Sequence, residues 1–165
     1  MFIPYIQAAL KSTQENEQLA GLTAMAILTE GSKNVFANEF TNIMQLITPL
    51  MSSESPKVLF GTIKTLGYLC DEFSPDVQLQ FGELVMNQFL RGLKHQITKI
   101  QYKSVLALQN FCVGADENQD VLKVFSPFME PVLSEIYKML ETYLKQFNFF
   151  VLNGVINTLN SISTL

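Results

Sequence analysis

With 165 residues, of which 48% are hydrophobic and 16% are charged, the chain is long enough and apolar enough to bury a core of its own. This composition excludes a disordered tail, because such segments combine low hydrophobicity with high charge. The net charge of -4 offers no general attraction to phosphate backbones, so we expect no direct nucleic-acid partner.

Apolar residues recur every three or four positions along the whole chain, and no stretch shows the alternation typical of a strand. The pattern therefore predicts an all-helical protein. Eight helices are expected, in chain order 2–12, 16–30, 35–52, 56–73, 75–93, 98–113, 119–144 and 147–164.

Proline follows serine at several predicted helix starts. The Ser-Pro pairs at 55–56, 74–75 and 126–127 each fit an N-cap serine followed by proline at the first helical position. The last pair, together with Pro131, is expected to split the seventh helix into a short lead-in and a main part. The reason is that proline removes a backbone hydrogen bond from a helix interior.

An internal repeat is the most informative feature of the sequence. A shift of 41 residues places 19–28 on 60–69, and a further 42 residues reaches 102–111. The equivalent apolar position is held in turn by Met25, Leu66, Leu108 and Leu159. Periods of about 40–47 residues built from helix pairs are typical of HEAT and armadillo repeats, because one hairpin cannot bury its apolar faces alone. The sequence thus predicts an α-α superhelix, a HEAT-repeat solenoid.

We predict a single repeat array over 1–165, made of three complete hairpins and two flanking helices. The hairpins are 16–52, 56–93 and 98–144, and the flanking helices are 2–12 and 147–164. The first helix of each hairpin is called the A helix below, and the second the B helix. Ala20, Gly61 and Gly67 are small enough for close helix approach. Because free-standing solenoids need polar capping repeats and both ends here are apolar, we expect a piece of a longer protein.

The run 20–31 resembles the first helix of a repeat in the importin-beta (karyopherin-beta) nuclear transport receptors, closest to the importin-5 branch. Residues 55–75 look like the next repeat, and 106–111 are similar to the third. These receptors often carry an arginine and an aromatic near the start of each A helix, which 17–19 and 57–59 lack. We therefore expect the usual polar ladder between repeats to be missing.

The resemblance implies a superhelical receptor that carries protein cargo through nuclear pores under the control of the Ran GTPase. Cargo with basic segments and Ran would bind mainly to the concave face, and phenylalanine-glycine nucleoporins to the convex face. The resemblance also implies a location in the cytoplasm and nucleus and at the nuclear pore. No apolar run approaches the roughly 18 residues that a membrane span needs, so we expect no membrane partner.

No constellation of catalytic or metal-binding residues is apparent. His95 is the only histidine, and none of the eight glycines belongs to a phosphate-binding GxxxxGK loop. Cys70 and Cys112 lack metal-ligand or CxxC spacing and are expected to be reduced core residues. We predict that the chain is not an enzyme and uses no cofactor and no metal.

The predicted B helices carry polar stripes that suggest a partner surface. If Val85 and Phe89 face the core, residues at 83, 87 and 91 form a separate polar stripe. An offset of 47 residues finds a matching stripe on the next B helix. The predicted concave partner-binding surface consists of Gln45, Glu83, Asn87, Arg91, Glu130, Ser134 and Lys138. Carboxylates and amides displayed there would suit basic segments, although ordinary solvated helix faces give the same pattern.

On the A helices, Ile27, Tyr68 and Leu106 are expected to project near the outer surface. They would line shallow clefts between adjacent A helices, where the resemblance places a nucleoporin phenylalanine. The alternative is that they complete the packing between repeats.

The function that we favour is a non-enzymatic, protein-binding segment of a nuclear transport receptor. The alternative is a HEAT-repeat scaffold subunit of another complex, such as a phosphatase scaffold or a chromosome-organising protein, because the repeat physics is shared by all of these classes.

Overall fold

The computed structural model describes residues 3–30, 39–113 and 118–165. Its helices are α1 (Ile3–Leu10), α2 (Glu15–Thr29), α3 (Phe40–Ile47), α4 (Pro56–Glu72), α5 (Asp76–Leu93), α6 (Thr98–Val113), α7 (Gln119–Lys145) and α8 (Phe149–Ser163). A short 3-10 turn, Thr48–Ser52, follows α3. Each predicted helix thus has a counterpart in the described ranges. The start of the third predicted helix, 35–38, lies outside the described residues.

The helices form two stacked layers, as a HEAT solenoid requires. The A helices α2, α4, α6 and α8 pack side by side, while the B helices α5 and α7 pack against each other. Met25, Leu66 and Leu108 are buried at the centres of their A helices, and Leu159 is half-buried. The predicted α-α superhelix is therefore confirmed.

Helix α4 is apolar over most of its circumference because it lies between α2 and α6. At Gly61, an added Cβ would lie 3.0 Å from side-chain carbons of Leu19 and Leu22. At Gly67 it would lie 2.9 Å from the Cβ of Ala107. These two glycines allow the close approach that the sequence predicts.

Buried polar contacts join neighbouring A helices at equivalent places. The Thr65 hydroxyl of α4 lies 2.9 Å from the backbone carbonyl oxygen of Leu22 in α2. In the same way the Thr158 hydroxyl of α8 lies 3.0 Å from the carbonyl oxygen of Val105 in α6. Mid-helix threonine hydroxyl groups therefore supply polar contacts between repeats, although 17–19 and 57–59 lack the arginine and aromatic residues of the usual ladder.

The α4–α6 pair uses a different donor because its threonine position is held by a small residue, Ala107. There the Asn110 side-chain amide donates to the Gly67 carbonyl oxygen at 3.1 Å. A side chain large enough to reach across would collide at Gly67, so the polar contact moves by about one helical turn.

The Ser-Pro pairs behave in three different ways. Ser55 is the N-cap residue of α4 with Pro56 first in the helix, as predicted, although the buried Ser55 hydroxyl has no hydrogen-bond partner among the described residues. Helix α5 begins one residue later than predicted, with Pro75 as its N-cap residue. The third pair lies inside α7 rather than at a helix start.

Helix α7 is continuous from Gln119 to Lys145, so the predicted split at Pro127 and Pro131 is wrong. Two features explain this result. Phe125 and Val132 on either side of Pro127 are fully buried, which holds both halves against the core. Pro127 itself is exposed, so water can satisfy the carbonyl group that lacks its amide partner.

Within the described ranges, no helix combines the length and the apolar character needed to cross a membrane. Cys70 and Cys112 are free and buried, as the sequence predicts. Burial raises the pKa of the Cys70 thiol well above its usual value and raises the pKa of Cys112 to about 12. Both therefore stay protonated and unreactive near neutral pH.

Candidate protein-binding groove

A groove of about 740 Å³ separates the N-terminal halves of α5 and α7, which are B helices of successive repeats. Its walls combine apolar, amide and charged side chains. The lining residues are Leu79, Gln80, Phe81, Gly82, Glu83, Leu84, Asn87, Lys123, Val124, Pro127 and Phe128.

The floor of the groove is set by a glycine. A Cβ placed at Gly82 would lie 2.5 Å from Cγ1 of Val124, so α5 and α7 approach closely at this point. Beside this contact, Phe81 and Phe128 are only partly buried against the core. They leave aromatic surface open to a partner between the two helices.

The rim of the groove carries one carboxylate whose charge is not compensated. Glu83 and Asn87 are both exposed, and Glu83 forms no ion pair with any described residue. Across the groove, Lys123 pairs with Asp120 at 2.8 Å, and this hydrogen bond lowers the pKa of the Asp120 carboxyl below its usual value. The charge of Lys123 is thus matched within its own helix, and Glu83 dominates the local charge.

Asn87 adds hydrogen-bonding capacity beside this carboxylate. Its side-chain amide donates to the Glu83 backbone carbonyl at 2.9 Å, which fixes the side chain on the rim. The amide oxygen of Asn87 has no donor among the described residues. It is therefore available to an extended backbone laid along α5.

Three other members of the predicted surface, Gln45, Glu130 and Ser134, are exposed but do not line this groove. The Gly82–Val124 contact corresponds to a packing register of 42 residues, five fewer than the offset that aligned α5 with α7 in the sequence. Ser134 therefore lies about five residues, or ~7.5 Å, further along its helix than the level of Asn87. Binding by these residues stays a prediction.

Arg91 has an internal role in the structure. Its guanidinium donates to the backbone carbonyls of Met51 and Ser53, both at 2.8 Å, and lies 3.4 Å from the Glu54 carboxylate. It therefore ties α5 to the end of the 3-10 turn of the preceding repeat. Sequence spacing alone predicts Arg91 in a polar stripe with Glu83 and Asn87 and does not reveal these contacts.

Lys138 lies in a second, smaller groove of about 190 Å³ near the C-terminal half of α7. It pairs with Glu135 at 2.8 Å, and the Glu135 side chain is only 16% exposed. The Tyr143 hydroxyl donates to the side-chain oxygen of Gln101, whose amide donates to the Leu93 carbonyl at 3.2 Å. This network joins α5, α6 and α7.

The three outer residues occupy different environments. Ile27 is 59% exposed, whereas Tyr68 and Leu106 are half-buried. Ile27 lines an apolar groove of about 410 Å³, but this groove lies between α1 and α2 rather than between adjacent A helices. Its lining is Tyr5, Ile6, Ala9, Ala20, Gly21, Ala24, Ile27 and Leu28. Capture of a nucleoporin phenylalanine by the three outer residues stays a prediction.

In the described part of the chain, no group of three or more histidine, cysteine or carboxylate side chains is placed to hold a metal ion. His95 lies in the turn before α6, where its Nδ1 atom accepts a hydrogen bond from the backbone amide of Ile97 at 3.0 Å. This contact gives His95 a local structural role.

The apolar half of the groove is absent from the surface predicted from the sequence. Phe81 and Phe128 line one groove because α5 and α7 pack at a register of 42 residues. The signal in the sequence is the 42-residue offset between the second and third A helices, which differs from the 47-residue offset used to align α5 with α7.

No protein-family model matches the chain. Among curated proteins, it is similar to importin subunit beta-3 of Saccharomyces cerevisiae, with 26% identity over 139 residues, or 84% of this chain. Among solved structures, it resembles Kap121p with a TM-score of 0.78 and 22% identity over 97% of this chain. Kap121p bound to Nup53p and Kap121p bound to Pho4p match with the same TM-score and identity over 98% of the chain.

These relatives are much longer than the chain, which spans 12% of the curated importin subunit and 15% of Kap121p. The structural likeness shows the HEAT-repeat fold, and the curated relative confirms the resemblance to the importin-beta receptors.

Proposed function

We propose that this chain is a non-enzymatic, protein-binding segment of a nuclear transport receptor and that the α5–α7 groove holds an extended segment of a protein partner. The similarity to importin subunit beta-3 supports the receptor class, and the similar protein Kap121p is known in structures bound to the proteins Nup53p and Pho4p. A receptor of this class acts in the cytoplasm and nucleus and at nuclear pores, under the control of Ran.

The observation that carries the proposal is the uncompensated Glu83 carboxylate beside open aromatic surface. A lysine or arginine of the partner would lie against Glu83, while a neighbouring apolar side chain would pack between Phe81 and Phe128. Asn87 would hydrogen-bond the partner backbone. An exposed ion pair contributes only about 0–1 kcal/mol, so the apolar contact and further repeats must supply most of the affinity.

The proposal also includes nucleoporin binding, which we place on the outer surface rather than in the α5–α7 groove. Ile27 is exposed in an apolar groove that would accept an aromatic ring, and this feature supports an interaction with phenylalanine-glycine repeats. Tyr68 and Leu106 would contribute only their exposed edges.

Photo-crosslinking tests the position of the partner in the groove. A peptide with lysines flanking one photoreactive phenylalanine analogue is irradiated with the chain, and the crosslinked residues are identified by mass spectrometry. The proposal predicts crosslinks to Phe81, Val124 or Phe128. Crosslinks confined to the α1–α2 groove, or crosslinks that persist equally for a peptide with glutamines in place of lysines, would contradict it.

A further inference from the structure

The outer surface of α4 and α6 gathers three lysines without a carboxylate partner. Lys64 lies on α4, and Lys99 and Lys103 lie one turn apart on α6. None of the three forms an ion pair with a described carboxylate. This is an unusual concentration of positive charge in a chain with a net charge of -4.

One contact and one electrostatic effect indicate that the lysines of the two helices lie close together. The Lys99 ammonium lies 4.9 Å from the centroid of the Phe60 ring, so this side chain crosses from α6 onto α4. Lys103 is half-buried, and its pKa is lowered by burial first and then by the nearby charges of Lys64 and Lys99. Like charges held this close repel one another, and an anion between them would relieve that repulsion.

The helices around the three lysines place no carboxylate next to them in the described part of the chain. Helices α6 and α8 contain no acidic residue, and the acidic residues of α4, Asp71 and Glu72, lie in its last turn. Beyond the lysines, the rings of Tyr102 and Phe150 pack with centroids 4.5 Å apart, and Phe150 is 69% exposed. The patch therefore presents cations next to open aromatic surface.

We propose that Lys64, Lys99 and Lys103 form a docking surface for an acidic protein segment, in which two or more aspartates or glutamates accompany an apolar side chain. The lysines favour an acidic partner by charge complementarity, and the exposed Phe150 ring would pack against the apolar side chain of that partner. A protein segment fits better than a nucleic acid, because three lysines neutralise few phosphates and the net negative charge of the chain repels a long polyanion.

This surface lies on the A layer, whereas the groove of the proposed function lies between B helices. The two sites also select opposite charges. If the peptide experiments contradict binding at one of these two sites, binding at the other site is still tested separately.

Fluorescence anisotropy at low salt measures the interaction directly. The probe is a labelled peptide in which glutamates flank a phenylalanine, and the comparison probes are its glutamine counterpart and a single-stranded oligonucleotide of equal charge. We expect the acidic peptide to bind more tightly than either. A higher affinity for the oligonucleotide, or equal affinity for the glutamine peptide, would overturn the proposal.

Variants locate the site on the chain. The triple variant Lys64→Gln, Lys99→Gln and Lys103→Gln is expected to weaken binding of the acidic peptide about fivefold or more, as the loss of several exposed ion pairs implies. Lys145→Gln, which removes a charge at the end of α7, serves as the matched control. An equal loss in both, or no loss in the triple variant at unchanged melting temperature, would refute the assignment. Lys→Arg replacements at the three positions should retain binding, which separates charge from folding effects.

Discussion

The hydroxyl of Thr65 on α4 lies 2.9 Å from the carbonyl oxygen of Leu22 on α2, and both groups are buried. The same hydroxyl also lies 2.9 Å from the Gly61 carbonyl oxygen of its own helix, so its single proton is shared between two acceptors. A contact of this kind fixes the register of one repeat on the next, because a shift of one residue would leave the hydroxyl facing apolar side chains.

Replacing Thr65 by valine keeps the side-chain volume and removes this hydrogen bond. We expect Thr65→Val to lower the free energy of unfolding by about 0.5–1.5 kcal/mol, the typical net value of such a bond. Urea denaturation measures the change. Thr23→Val, at a half-buried position on α2, is the control and should change stability less. A Thr65→Val variant as stable as the parent chain would show that the ladder contributes nothing.

Leu66 is the completely buried centre of the middle repeat. Leu66→Ala leaves a cavity between α4 and its neighbours and is expected to destabilise the chain by about 2–5 kcal/mol. Lys64→Ala, on the outer face of the same helix, should cost much less because its side chain is partly exposed. Thermal melting followed by circular dichroism compares the two variants, and equal shifts would mean that the assigned helix phase is wrong.

Gly67 and Ala107 mark a close approach between α4 and α6. Gly67→Ala brings two Cβ atoms within 2.9 Å and is expected to destabilise the chain by about 1–3 kcal/mol through overpacking. Ala107→Gly removes the opposing atom, so the double variant should recover part of that loss. A double-mutant cycle measures the coupling between the two positions. Strictly additive effects would contradict direct contact.

Cys112 supplies a prediction about pH. Its pKa is raised by burial from an ordinary value of 9.0 to about 12, so the folded chain keeps a proton that the unfolded chain loses above pH 9. The stability that this thiol contributes is therefore complete below pH 9 and is lost as the pH rises toward 12, at up to about 1.4 kcal/mol per pH unit. Denaturation in urea at several pH values should show a shallower decline for Cys112→Val. Identical pH slopes for variant and parent would disprove this account.

Sequence reasoning succeeded where the determinant is local and failed where it depends on contacts between repeats. Periodic burial locates α4 and α6 within a residue or two, since each helix must turn the same apolar residues toward its neighbours. The continuity of α7 is not evident from the local sequence, because burial of Phe125 and Val132 outweighs the effect of the two prolines between them.

The candidate binding surface also depends on contacts between repeats, so it was harder to predict than the fold. The acceptors of Arg91 are backbone carbonyls at Met51 and Ser53, about 40 residues earlier in the chain, and no spacing rule indicates them. The groove likewise depends on a register that Gly82 sets through its contact with Val124. The exposure of Glu83 and Asn87 follows from helical spacing alone, whereas their role in binding stays a prediction.

The most direct test of the account is the affinity of a lysine-rich peptide with one apolar residue for the chain, for Glu83→Gln and for Glu130→Gln, titrated at low and at physiological salt. Both variants remove one exposed carboxylate from a B helix, but only Glu83 lines the groove. The account predicts that Glu83→Gln weakens binding about two- to fivefold at low salt, that added salt reduces this difference, and that Glu130→Gln binds nearly as the parent chain does. Equal affinities for Glu83→Gln and the parent chain, or a larger loss in Glu130→Gln, would contradict the assignment of the groove as the partner site.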